Sequence, residues 1–187
     1  MSGVKPSGER RFPDPTPVPL VAGALSLRPW TPADGPELDR IAALPEVARW
    51  WGPEDFSAPP EEDTQRYTIR LAERVCGMIQ FYEESDPAYR HAGIDIFVDP
   101  AVRGRQIGVA AIVTLARWLC EARGHHRLII DPALDNAAAV RAYEKAGFSR
   151  VGVLRRYWRD PVADRWRDGL LMDMLAEEIP PTPRVTP

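Results

Sequence analysis

Lysine is almost missing from this 187-residue chain: only Lys5 and Lys145 carry it, so nearly all of the positive charge is arginine. The net charge of −3 leaves no general basic footprint for nucleic acid. The two cysteines, Cys76 and Cys120, have no metal-ligand spacing and fall on different predicted elements, which suits a reducing compartment. His91, His125 and His126 are scattered, so no His/Cys cluster supports a metal. No apolar run approaches the ~20 residues of a membrane span. The stretch "PVPLVAGALSL" follows Lys5, Arg10 and Arg11, but Pro13, Pro15, Pro17 and Pro19 argue against a signal peptide. A cytoplasmic location is expected, with no membrane and no nucleic-acid partner. Three-glycine dinucleotide fingerprints and Gly-Lys-Ser/Thr loops are absent, and no internal repeat is visible.

What is present reads as one domain over residues 21–177, between a proline-rich tail (1–20) and a loose C-terminal segment (178–187). "ALSLRPW" is a first strand, and Thr31 caps a helix with Pro32 at its first position. "PEVARWWG" is a short helix closed by Gly52. "RYTIRL" and "VCGMIQFYEE" form a hairpin, followed by the strand "GIDIFV", a long helix to about Glu121, and the strand "RLIID". "AAAVRAYEKAG" is a helix stopped by Gly147, and "FSRVGVLRRYW" and "RWRDGLLMDML" make a last hairpin. The order β-α-α-β-β-β-α-β-α-β-β predicts a mixed α/β (α+β) domain with a partly antiparallel sheet.

Between "GIDIFV" and the long helix lies "VDPAVRGRQIG". Glycines at such an elbow let backbone approach a ligand, and the unpaired N–H groups of a helix start attract anions. Arg103 and Arg105 add positive charge. An arginine-rich turn with glycines for packing remains the plain alternative.

These residues resemble the acyl-coenzyme A binding segment of the GNAT N-acetyltransferases, whose pattern is Arg/Gln-x-x-Gly-x-Gly/Ala. Two registers fit. Arg103 to Gly108 keeps the family's spacing from the strand but puts Gln106 where glycine is usual; Arg105 to Ala110 satisfies the pattern fully. "DPALDNAAAVRAYEKAGF" is similar to the family's Asn-x-x-A-x-x-x-Y-E-K-x-G-F stretch. With "ARWWGPED" and "GIDIFV", the likeness is greatest to aminoglycoside 6′-N-acetyltransferases. It covers roughly residues 24–176.

The resemblance implies the GNAT acyl-CoA N-acyltransferase fold, a mixed, largely antiparallel sheet flanked by helices with splayed central strands. Acetyl-CoA is the implied co-substrate, without a metal. Phe97 and Val98 are expected to pair with the pantetheine arm. The backbone from Arg103 through Gly104, Arg105, Gln106, Ile107, Gly108 and Val109 to Ala110 is expected to take the pyrophosphate. Asn136 either meets the cofactor or simply caps the next helix.

Asp95 is a carboxylate in an otherwise apolar strand, costly unless solvated or paired, and so a candidate base. Tyr143 is the candidate acid for the thiolate, a half-buried helix tyrosine being its plain alternative. A polycationic acceptor, expected to be an aminoglycoside, requires an acidic pocket. Asp131, Glu84, Glu83, Asp135 and Asp86 are candidates, with Tyr82 on the face of Gln80 and Glu84, and Trp51 or Trp50 as a wall. The implied activity is aminoglycoside 6′-N-acetylation conferring resistance, by direct amine attack in a monomer or homodimer. Acylation of another amine, such as a siderophore precursor, and a non-catalytic coenzyme A binding module are the rivals.

Overall fold

Alternation of apolar and polar residues organises a single eight-stranded sheet in the computed structural model, which describes residues 17–84, 86–160 and 163–185. Its strands are β1 (Leu20–Ala22), β2 (Leu25–Pro29), β3 (Thr64–Leu71), β4 (Arg74–Glu84), β5 (His91–Val98), β6 (Arg127–Ile130), β7 (Ser149–Arg159) and β8 (Trp166–Leu175). The helices are α1 (Gly35–Ala42), α2 (Pro45–Trp51), α3 (Ile107–Glu121) and α4 (Ala137–Ala146). Spatial order is β1-β2-β3-β4-β5-β6-β8-β7. Among the described residues only β5 and β6 run parallel, because α3 carries the chain back between them.

Seven strands are expected from the sequence, and the eighth is β1. Leu20–Ala22 folds back on β2 across Gly23, which takes φ 62°. Leu20 therefore belongs to the sheet rather than to the expected tail, and residues 1–16 lie outside the described residues. At the other end, Ile179 and Val185 pack against the core, and Arg117 donates to the Pro180 carbonyl at 3.0 Å. The segment 178–185 is thus docked, correcting the expectation of a loose end: apolar side chains spaced among prolines find a surface beside α3.

The apolar faces divide into two cores. α3 buries Ile107, Val109 through Val113, Leu115, Ala116 and Leu119 against one face of the sheet, with Ile79, Phe81, Ala92 and Ile94 beneath. On the opposite face, Leu38, Ile41 and Val47 of α1 and α2 pack with Phe56, Met78 and Phe97. Period-two alternation puts Gly93, Asp95 and Phe97 on this second face.

The central feature is a divergence. β5 meets β6 only through Ala92–Leu128 and Gly93–Ile129, while its other edge stays paired with β4 as far as Val98. The cause lies just after β6. Leu170 N–H bonds the Pro132 carbonyl, Leu134 N–H bonds that of Asp168, and Ala133 bridges Gly169. These bonds hold the chain to β8 and draw it away from β5, leaving the Ile94–Val98 edge open on the α4 side, as the expected splay requires.

Candidate active site

A cavity of about 650 Å³ fills the divergence, lined by Ile96, Phe97 and Val98 on one wall and by Asn136, Ala139 and Tyr143 on the other. Its floor is the elbow. Asp99 opens it: its carboxylate accepts from Ala101 N–H and from Arg74, and despite burial these partners hold it below the usual carboxylate range. Gly104 follows with φ 78° and nothing within 4 Å of where a Cβ would stand, so backbone lies bare there.

Gln106 sits in the left-handed region at φ 60°, immediately before α3. This is the position where the family carries glycine in the register Arg103–Gly108, and the positive φ is the physical reason for that preference. Ala110 N–H bonds the Gln106 carbonyl, so the N–H groups of Ile107, Gly108 and Val109 have no intrahelical acceptor. They point out of the start of a 15-residue helix.

The expected cradle is shorter than eight residues. Arg103 N–H is spent on the Pro100 carbonyl, although Arg103 still lines the cavity. Ala110 is fully buried with its N–H already bonded, and Arg105 stands near enough to Cys76 to act on its thiol; neither lines the cavity. Three cations missed by the sequence reading do line it: Arg49 of α2, and Arg141 and Lys145 of α4. The last two are four residues apart, hence on one helix face, a spacing that would have revealed them.

Asn136 caps α4, its Oδ1 accepting Ala139 N–H at 3.2 Å, and it lines both this cavity and a second one of about 410 Å³. The second cavity is lined by Glu54, Asp95 and Asp131 between Trp50, Trp51, Tyr157 and Trp158. Both tryptophans of the Trp-Trp-Gly segment therefore border it. Trp51 Nε1 donates to Glu54 at 2.7 Å while its ring lies edge-on to Phe97 at 5.0 Å. The Arg49 guanidinium lies 4.4 Å over the Trp50 ring.

Asp95 is half-buried, and burial pushes its pKa up to about 6; a Gln80 hydrogen bond opposes this, while Asp131 and Glu54 add to it. Tyr143, buried among the walls of both cavities, is pushed well above the ordinary phenol by burial and by Asp95 and Asp131. It keeps its proton at neutral pH. Asp131 accepts from Tyr157 Oη at 2.7 Å. Tyr157 was not legible as a site residue. It reaches the cleft because the β7–β8 register slips between Leu154 and Trp158, with Arg156 at φ 52°. Such a bulge re-aims a side chain.

Tyr82 lies across Gly93, where an added Cβ would sit 2.1 Å from the ring. This contact accounts for glycine ahead of Asp95. Burial raises the Tyr82 hydroxyl, and Asp131 and Asp95 raise it further, but Tyr82 lines neither cavity, so the expected acceptor contact is not part of the lining. Glu84 does not join these carboxylates. It pairs with His91 at the far end of the strands and accepts Asp86 N–H in the turn. Asp86 is used in the same turn. Glu83 faces the other way, held by Arg123 and His125; burial opposes its ionisation, but these partners bring it down to about 2. Asp135 is paired with Arg167, which also binds Asp160. The pocket is therefore built from Glu54, Asp95 and Asp131 rather than from the acidic run after β4.

Neither Cys76 nor Cys120 lines either cavity, and burial raises both thiols. Among the described residues no group of His, Cys, Asp and Glu side chains is placed to hold a metal ion. No described helix is long and apolar enough to cross a membrane.

Comparison with known proteins agrees with this geometry. Aminoglycoside N(6′)-acetyltransferase type 1 of Klebsiella pneumoniae is 27% identical over 133 residues, covering 58% of this chain and 65% of that protein. The chain spans two thirds or less of the length of the curated relatives it matches. Among solved structures, an aminoglycoside acetyltransferase, AAC(6′)-Ib, in complex with coenzyme A and kanamycin superposes with TM-score 0.68 at 23% identity, covering 82% of this chain and 96% of that one. The ribosomal-protein-S5-alanine acetyltransferase of Vibrio fischeri reaches TM-score 0.74 at 14% identity, covering 88% and 100%. At such identities the likeness shows the fold. The model of the acetyltransferase (GNAT) family matches residues 22–148, and with the splayed sheet and the elbow in place, the chain belongs to that family.

Proposed function

We propose that this protein is an acetyl-CoA-dependent N-acetyltransferase whose acceptor is a polycationic amine, an aminoglycoside acetylated at its 6′-amine. The observation that carries this reading is the meeting of two cavities. One is an open strand edge ending in bare helix-start N–H groups with Arg49, Arg103, Arg141 and Lys145 around it. The other is an aromatic-walled cleft holding three carboxylates. Trp50, Trp51, Ile96, Asn136 and Tyr143 border both.

The donor's fit is tested by the groove itself. Its unpaired strand edge suits an extended amide-bearing arm, and its cationic floor suits phosphates. Acetyl-CoA supplies an activated acyl group as a thioester. The chain's residues do the rest. Asp131 and Glu54 orient ammonium groups, and the tryptophans flank a sugar ring. Asp95 takes the proton that the reacting ammonium must lose, being mostly ionised at pH 7 and close enough to neutrality to be an efficient base. The freed nitrogen lone pair bonds to the acyl carbon, the carbon–sulfur bond breaks, and the sulfur leaves with the pair. Tyr143 donates a hydrogen bond to that sulfur, and the second proton, shed by the nitrogen once it is acylated, passes to the sulfur to complete the free thiol. Because burial raises the phenol, stabilisation through the hydrogen bond outweighs full proton transfer.

The test is a steady-state panel with acetyl-CoA. Kanamycin should be acetylated with kcat/KM well above that for hydroxylysine or an alanine-initiated peptide, and an aminoglycoside with a 6′-hydroxyl should be inert. Preference for the peptide would assign the cleft to protein N-termini. No turnover on any amine would leave a binding module.

A further inference from the structure

Three side chains stand in one row across three neighbouring strands. Arg66 of β3 pairs in register with Gln80 of β4, and Gln80 pairs with Asp95 of β5. Arg66 Nε donates to Gln80 Oε1 at 3.3 Å, and Gln80 Nε2 donates to Asp95 Oδ2 at 3.4 Å. At its outer end the guanidinium is paired with Glu54, which also receives the Trp51 indole N–H. The Arg66 side chain is only 3% exposed, and its guanidinium carbon lies 4.9 Å over the Phe56 ring.

An arginine so buried normally serves a purpose beyond a surface ion pair. The chemistry of the row supplies one. A guanidinium only donates, so the Gln80 amide must turn its oxygen toward Arg66. Its NH₂ group is then forced toward β5. Released from Arg66, the amide is free to flip and let its oxygen accept the proton of a neutral Asp95 carboxyl, which favours the un-ionised acid. Arg66 sets the polarity of the whole row without reaching the reacting atoms.

We propose that Arg66 is a positioning residue for the reaction: by fixing the Gln80 amide it aims a hydrogen-bond donor at Asp95, and through the same guanidinium it holds Glu54 at the rim of the acceptor cleft. The inference rests on Asp95 being the base of the proposed reaction. Every other group facing Asp95 works against its charge or is neutral. Asp131 beyond β6 and Glu54 before β3 repel it, and Tyr82 of β4, Tyr143 of α4 and Tyr157 of β7 are all raised phenols beside it. Gln80 is the group that lowers it. The row is what keeps Asp95 usable as a base near neutral pH.

The test reads Asp95 directly. Carboxyl carbon NMR on the full chain, without acceptor, follows the Asp95 titration, assigned by its loss in Asp95→Asn. Arg66→Met and Gln80→Leu should each raise the midpoint by about one pH unit, a tenfold weaker ionisation. Arg66→Lys, which still donates to Gln80, should stay near the native value. Arg66→Met added to Gln80→Leu should bring no further rise. An unmoved midpoint in Gln80→Leu, or in Arg66→Met, overturns the relay, as does a further equal rise in the double variant. Should Arg66→Met not fold, Arg66→Leu, which has no donor either, takes its place with the same expected rise. With kanamycin and acetyl-CoA, the acidic limb of kcat/KM should move by the same amount. Absence of kanamycin turnover would refute the proposed acceptor while leaving the titration decisive for Arg66.

Discussion

Replacing Asp95 by asparagine should stabilise the protein while disabling it, and the gain should depend on pH in a defined direction. Burial lifts the Asp95 carboxyl from 3.8 to about 6 in the folded chain, so the native state binds this proton more tightly than the unfolded state does. The native protein is therefore favoured most below pH 4, and that advantage disappears as pH rises from about 4 through about 6. Above pH 7 the ionised side chain costs up to about 3 kcal/mol, taking about 1.4 kcal/mol per pH unit. Asparagine removes the charge, keeps nearly the same volume, and still offers an oxygen to Gln80 Nε2. For a chain of this size about 2–3 kcal/mol raises Tm by roughly 4–10 °C. Calorimetric melts of both proteins at pH 8 and pH 4 measure it: a Tm gain of that size is expected at pH 8 and little difference at pH 4. Acetylation by the variant should fall by about 10²–10⁴-fold, the range for loss of a general base. An equal Tm difference at both pH values, or a variant less stable at pH 8, would refute the burial argument; full activity would refute the role.

Tyr143→Phe keeps the packing but removes the hydroxyl proposed to donate to the leaving sulfur, so kcat should drop about 10- to 100-fold while coenzyme A binding measured by calorimetry stays within about twofold. Gln106→Gly should be tolerated, whereas Gln106→Val, β-branched at φ 60°, should cost at least about 1 kcal/mol in urea denaturation. Glu83→Gln should cost about 2–3 kcal/mol at pH 7: partners hold the Glu83 carboxyl at about 2 rather than 4.5, so its contribution is complete above pH 5 and lost as pH falls through 2. Melts across that range should show native and variant proteins converging at the acidic end.

Periodicity and capping signals located every helix and seven of the eight strands, and they put Asp95 on the face of Phe97 because alternation along a strand is a local property. Asp95, Asp131, Tyr143, Asn136 and Trp51, picked out with the help of the resemblance to the family's short motifs, each line one or both cavities. Glu84 was misjudged because strand period says which face a residue takes but not how far along the strands a cleft extends. Tyr157 was invisible because a bulge breaks the very alternation used to place it. Arg66 and Glu54 lie in different segments and meet only once β3, β4 and the α2–β3 loop are assembled. β1 hid in a proline-flanked stretch with too few residues to show a period. The docked C-terminal end hid for a related reason: Ile179 and Val185 follow no helical or strand spacing.

The sheet is held together at its midpoint by two residue pairs, Ala92–Leu128 and Gly93–Ile129. On either side stand two well-bonded blocks, β1 through β5 and β6 with β8 and β7. Across that seam the backbone contributes only these two pairs, and the core packed under α3 joins the blocks otherwise. An extended molecule lying along Ile94–Val98 would act as a ninth strand, supplying from outside the partner that the fold withholds. Occupancy and rigidity are thereby linked: amide exchange along that edge reports whether the two blocks are stitched together.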